Sequence, residues 1–352
     1  MGAIDSDAHV LETSKTWDYL EGEDKRFTPF IVTQTYGPEL KANDGRSTQH
    51  NYWLVGNRPM GKDRNVGTEM SRAIAEMEDI PGRLAHMDEL EIDIQVLYPT
   101  LYLRPVTDDI NADLALTRAY NRWVADISHQ SNGRMRWVAL PPMRSPNLIR
   151  EELLFAKENN ACGIFLRGLE CDRAIGDPVF YPLWEVASEL DLPICMHSGN
   201  GSVFHHDFFD TDTSFTKFKL AVIGAFHTLL EKQIPKKFPA VRWGFIEVSS
   251  QWVPYVLCDL EDRFRRNGWD WYENPLKENN MYVACENTDH LDYVIKYAGE
   301  DNLVIGTDYG HHDPSSEVLA VKLLREDSRL GKGVADKILE KNPRALYGID
   351  QP

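Results

Sequence analysis

An eight-stranded (β/α)8 barrel is the fold class this sequence predicts, and three observations carry the prediction. Short β-branched or apolar runs alternate with longer helical patterns eight times along the chain. The 352 residues suit one large α/β domain over positions 1–352, and a chain of that length buries enough surface to need no disulfide or metal staple. Several of the short runs end in a single Asp, Glu or His, at the strand ends where a barrel carries its chemistry.

The expected strands, in order, are Ala3–Asp7, Asp93–Tyr98, Met135–Leu140, Cys162–Leu166, Leu192–His197, Val241–Glu247, Met281–Glu286 and Leu303–Asp308. Helical patterns fall at Ala112–His129, Leu148–Asn159, Val179–Leu190, Phe215–Glu231, Trp252–Arg266, Leu291–Ala298, Ser316–Leu324 and Gly333–Tyr347. The first connection breaks the rhythm, because residues 8–92 far exceed an ordinary βα loop. Positions 13–90 are therefore expected to contain an insertion acting as a lid or dimer arm. Within it, Tyr36–Gly67 is rich in Gly, Asn and charge, with Tyr52 and Trp53 interspersed; a flexible linker is the alternative. Gly268–Leu276, with Trp269, Trp271 and Tyr272, reads as a rim loop that either meets substrate or a neighbouring subunit or is simply packed.

Charge and cysteine usage narrow the partners. Asp and Glu total 55 against 38 Lys and Arg, a formal charge of −17 with no concentrated basic stripe, so nucleic acid is not an expected partner. The five cysteines are scattered, odd in number and without a CxxC pair, which predicts reduced thiols and a cytoplasmic setting. No apolar run is long enough to span a bilayer and no secretory signal pattern opens the chain, so no membrane association is expected.

The chemistry-bearing residues sit where the strands stop. Asp5, Asp7 and His9 are spaced by two, so an extended strand projects them to one side. His197 ends LPICMH, Glu247 ends VRWGFIE and Asp308 ends LVIGTD. Asp7, His9, His197 and Asp308 would form a shell of two nitrogens and two carboxylates for one divalent ion, and both zinc and manganese suit it. Any one of these residues alone would be an ordinary wet strand end; their placement on strands one, five and eight points to a shared site. Arg167, after GIFL, is expected to bind a substrate carboxylate, with a structural ion pair as the alternative. His311 and His312 follow Asp308 in GTDYGHHD; one is expected to orient a ligand or the substrate. GxSxG, a Walker loop, a glycine-rich nucleotide signature and HExxH are all absent.

These motifs resemble a known group. IDSDAHV at the N-terminus, MHSG around His197, FIEVSSQWVP from Phe245 and GTDYGH around Asp308 look like the amidohydrolase-related family. This is the branch that includes aminocarboxymuconate semialdehyde decarboxylase and the hydroxybenzoate decarboxylases. The resemblance continues through RLAHMDELEIDIQVLYPT, DPVFYPLWEVASELDLPICMH and KILEKNPRALYG. It implies a metal-dependent barrel, commonly a homodimer, holding zinc or manganese. Asp7 takes the place of the first of two strand-one ligands, often a histidine, and Glu247 replaces a strand-six histidine that contacts substrate or water in many members.

The family's chemistry implies nonoxidative decarboxylation of a small anionic aromatic or conjugated acid, or hydrolysis of a C–N or C–C bond by activated water. In the first, Asp308 would shuttle a proton to the carbon losing carbon dioxide and Arg167 would offset the substrate's charge. In the second, Asp308 or Glu247 would take a proton from water while His311 or His312 stabilised an oxyanion. Glu247 is expected to act in proton transfer or substrate orientation and not as an essential ligand.

Overall fold

The computed structural model describes residues 2–35, 49–62, 66–209 and 214–349. Eight parallel strands form one sheet: β1 Ala3–Val10, β2 Ile92–Pro99, β3 Met135–Ala139, β4 Ala161–Leu166, β5 Ile194–His197, β6 Trp243–Ile246, β7 Met281–Cys285 and β8 Leu303–Ile305. The sheet curls back on itself. His9 N–H donates to Tyr309 O at 2.8 Å and Asp308 N–H to Asp7 O at 2.9 Å, which joins the end of β8 to β1. The barrel with an insertion after its first strand is thus the architecture the alternating pattern predicted.

The helical layer explains why the strands read as continuous apolar runs: both faces are covered, so neither needs polar residues. All of Ala161–Leu166 and Trp243–Ile246 are buried. Trp137, Trp184 and Trp243 are fully buried, and Trp184 on helix Tyr181–Glu189 meets Trp243 edge-on at 5.1 Å. The long helix Ile110–Gln130 starts at Asp109, whose carboxylate accepts from the backbone N–H groups of Asn111 and Ala112 at 2.8 and 2.9 Å. A crossover helix at Ile80–Glu89 precedes β2.

Two differences from the expected elements lie at the site. β6 and β8 stop before Glu247 and Asp308, which take left-handed backbone angles with φ of 57° and 49°. Non-glycine residues seldom adopt this region, and such strain clusters at functional sites. The helix expected at Ser316–Leu324 begins only at Ala320, because residues 316–317 turn back onto the strand end. Glu317 N–H donates to Thr307 O at 3.0 Å and Ser316 Oγ donates to Asp308 Oδ2 at 2.5 Å.

The described part of the insertion is a folded layer. Phe30–Thr35, Gln49–Val55 and Arg58–Gly61 make an antiparallel three-stranded sheet. Trp53 is buried against Trp17, ring centroids 6.0 Å apart. Of the Tyr36–Gly67 stretch, residues 49–62 belong to this packed sheet, and 36–48 and 63–65 lie outside the described residues. Beyond the sheet, Gly67 N–H donates to Gly310 O at 3.0 Å and Val66 bridges His311, so the insertion reaches the β8 end of the barrel. The aromatics of Gly268–Leu276 pack on Phe264, with centroids of Trp269, Trp271 and Tyr272 at 5.3, 5.1 and 5.7 Å. All five cysteines are free, and no helix among the described residues is long and apolar enough to cross a membrane.

Candidate metal centre

β1 delivers Asp7 and His9, β5 delivers His197, and the left-handed turns after β6 and β8 deliver Glu247 and Asp308. All five are nine-tenths or more buried. Ligand atoms of Asp7, His9, His197 and Glu247 lie within 4.8 Å of one another, as do those of His9, Asp308 and His311, and those of Glu247, Asp308 and Asp313. Asp5 is not in this group. Strict alternation would place it beside Asp7, but β1 has a register shift between Asp5 and Ala8, and the Asp5 carboxylate is bound by Thr307 and Gln95 instead.

The donor set fits a divalent cation. His9 Nδ1 faces Pro99 O at 3.2 Å and His197 Nδ1 faces Ser198 O at 3.0 Å. A carbonyl oxygen only accepts, so each Nδ1 carries a proton and Nε2 is the nitrogen each ring turns toward the cluster. Those two Nε2 atoms are 3.1 Å apart, and Asp7 Oδ1 lies 3.4 Å from one and 3.1 Å from the other. Lone pairs so close repel unless a cation or a proton lies among them. Burial and the neighbouring charge of His311 push the His9 imidazole down to about 4, which favours the neutral ring. Burial alone would raise Asp7, but the charges and hydrogen bonds of His197 and His9 outweigh it and hold the carboxyl well below its ordinary range. A buried His/Asp/Glu cluster able to coordinate a divalent metal is therefore present.

The other polar groups fall into distinct environments. Both oxygens of Asp308 are engaged, Oδ1 by His311 Nδ1 at 2.8 Å and Oδ2 by Ser316. Thr100 Oγ1 spends its hydrogen on Val10 O at 2.8 Å, so it accepts from His311 Nε2 at 3.0 Å. With both ring nitrogens facing acceptors, His311 reads as an imidazolium. Burial would lower its pKa, but the Asp308 carboxylate raises it above the ordinary value. Its ring stacks on His9 at 3.9 Å. Glu247 Oε2 lies 3.3 Å from His197 Nε2, and among the described residues no hydroxyl or amide donates to its carboxyl. Burial, followed by the charges of Asp308, Asp313 and Asp7, raises Glu247 well above its ordinary value.

A pocket opens above the cluster, lined by Glu247, His311, Asp313, Lys62, Arg104 and Thr100 among others. Lys62 and Val66 place the insertion on its wall. Arg167 is not brought into this pocket. Its guanidinium forks onto Glu170, with Nε to Oε1 at 2.8 Å, and Nη1 donates to Tyr102 O and Arg104 O, both at 3.0 Å. The structural ion pair is thus what the geometry supports, and it holds the loop that carries Arg104. His312 is 74% exposed and faces Glu69 at 3.8 Å, away from the cluster. Asp313, Ser316, Thr100, Arg104 and Lys62 were not singled out from sequence. Asp313 and Ser316 continue the GTDYGHHDPSS run and were within reach of a longer motif; Arg104 and Lys62 carry no local signal.

Residues 4–349 match the sequence profile of the amidohydrolase family. The chain belongs to that family. Among curated proteins there is no match. An amidohydrolase from Mycobacterium avium subsp. paratuberculosis K-10 is a similar solved structure, 18% identical over 99% of this chain and 98% of that one, with a TM-score of 0.79. The 5-carboxyvanillate decarboxylase from Sphingomonas paucimobilis is 16% identical over 99% of each chain, TM-score 0.70. The 2,6-dihydroxybenzoate decarboxylase from Rhizobium is 15% identical over 100% of each, TM-score 0.65. At these identities the likeness is one of fold.

In this chain the packing around Asp7 leaves no slack. A Cβ on Gly306 would fall 2.1 Å from Asp7 Cβ. Gly306→Ala is expected to destabilise the fold by about 1–3 kcal/mol and to displace Asp7. Denaturant melts paired with metal titration check both effects.

Proposed function

We propose that this chain is a metal-dependent nonoxidative decarboxylase of a small aromatic or conjugated carboxylic acid. The observation that carries the metal half is the pair of Nε2 atoms 3.1 Å apart beside Asp7. Asp7, His9, His197 and Asp308 would hold zinc or manganese, which would draw charge from the substrate's carboxylate and an adjacent oxygen. His311, tied between Asp308 and Thr100, keeps Asp308 aimed and lowers the negative charge of the cluster. Arg104 and Lys62 line the pocket and add positive charge to its wall, Lys62 while paired with Glu76 Oε1 at 3.1 Å. Glu247, raised in pKa and open to the pocket, is the acid that protonates the carbon as its bond to carbon dioxide breaks. The electron pair of the broken bond ends in the new C–H bond. Two of the similar structures being aromatic-acid decarboxylases supports this choice of reaction.

Hydrolysis is the second reading, because the same Glu247 carboxyl could take a proton from water. A product assay separates the two. Decarboxylation releases one carbon dioxide per substrate and places solvent hydrogen on the product carbon. Incorporation of solvent oxygen into a cleaved product, without carbon dioxide, would replace this reading with the hydrolytic one.

A further inference from the structure

Behind the cluster, on the β1–β8 seam, lies a second set of buried polar groups that the reaction does not use. Asp5, Gln95, Arg83, Thr307 and Tyr309 are each at most 1% exposed. Asp5 Oδ1 accepts from Thr307 N–H at 2.9 Å and Asp7 N–H at 3.2 Å; Oδ2 accepts from Thr307 Oγ1 at 2.7 Å and Gln95 Nε2 at 3.0 Å. Gln95 Oε1 accepts from Arg83 Nε at 2.7 Å. Arg83 Nη2 in turn donates to His9 O at 3.3 Å, and its guanidinium lies 3.6 Å from the Tyr309 ring centre. Among the described residues Arg83 Nη1 has no hydrogen-bond partner.

A buried guanidinium held by an amide, a backbone carbonyl and a ring face, with no carboxylate among the described residues in direct contact, is costly to keep for stability alone. What the chain of contacts achieves is positional. It grips the Asp7 N–H, the His9 carbonyl, and both residues flanking Asp308. The Gln95 amide can sit only one way round, its NH2 toward Asp5 and its oxygen toward Arg83, so it transmits position between the two charges.

We propose that Asp5, Gln95 and Arg83 are positioning residues that set the spacing between the β1 ligands and Asp308, and through it the affinity and geometry of the metal site. This rests on the reading above that Asp7, His9 and Asp308 hold the ion. None of the three faces the ligand atoms; they act on the backbone that carries them.

The test uses the full-length chain with Zn2+ and Co2+ alone. In Gln95→Leu, which removes both amide contacts, the dissociation constant for Zn2+ in chelator competition is expected to rise by about 10-fold or more. The visible absorption of the Co2+-loaded variant should differ in position or intensity from wild type, which a loss of stability alone would not produce. Thr307→Val removes only the hydroxyl given to Asp5 and should move both readouts the same way by a smaller factor; it decides the matter if Gln95→Leu does not fold. Wild-type affinity and an unchanged cobalt spectrum in the folded variants would overturn this proposal alone. A wild-type chain that binds neither ion would overturn the metal reading and this proposal together.

Discussion

His197→Ala is expected to leave a folded barrel that has lost its metal and its turnover. The side chain is fully buried, and its Nδ1–H is given to Ser198 O, so its one remaining function is to present Nε2 to Asp7, His9 and Glu247. Alanine removes a donor atom outright. Metal affinity should therefore fall by more than the roughly 100-fold upper range seen when an outer partner is lost. Asp7 also loses the group that most favours its ionised form, which weakens a second donor. The cavity beside Tyr98 and Phe165 costs on the order of a few kcal/mol. That is tolerable for a barrel whose core extends over eight strands. Elemental analysis, activity and a thermal melt on one preparation give the three readouts. Full metal occupancy in this variant would place the site elsewhere. His312→Ala is the matched control: its exposed imidazole should be dispensable for both metal and turnover.

Glu247→Gln should separate metal binding from chemistry. Three carboxylates and two neutral imidazoles around one divalent ion would carry a net negative charge that opposes an anionic substrate. Asp308 is already fixed at both oxygens, whereas among the described residues no hydroxyl or amide donates to Glu247, which borders the pocket. Glutamine keeps the shape and removes the titrating acid, so the variant is expected to retain metal and lose about 100-fold or more in turnover. The pH profile gives the sign. The pKa of Glu247 is raised by burial and by Asp308, so the protonated acid persists above the ordinary carboxylate range. Wild-type rate should fall as pH rises through that raised value, and the glutamine variant should lack this limb. Loss of the ion in the variant would make Glu247 a ligand; normal turnover with an unchanged profile would leave it structural.

The barrel was legible because strand and helix periods are local properties of sequence, and a residue at the end of an apolar run keeps that place once the strands assemble. Asp7, His9, His197, Glu247 and Asp308 were visible for that reason. Asp5 was misplaced on the same logic, since a register shift in β1 breaks the alternation that spacing by two assumes. The roles of Arg167 and His312 turned on partners remote in sequence or on exposure. Arg167 needs the carbonyls of Tyr102 and Arg104 to show that its donors are already committed.

The sequence by itself determined the layered alternation, the long first insertion and which residue types stand at the strand ends, because backbone period and side-chain polarity need only neighbours along the chain. Tertiary structure alone decided which of those groups meet. The acceptors that face the ring nitrogens of His9, His197 and His311 are supplied by other elements or turns: Pro99, Ser198, Thr100 and Asp308. The basic side chains lining the pocket, Lys62 and Arg104, come from the insertion and the loop after β2, far apart in sequence. Electrostatic and hydrogen-bond energies depend on distances of a few ångströms and on the exclusion of water, and those distances exist only after the barrel closes.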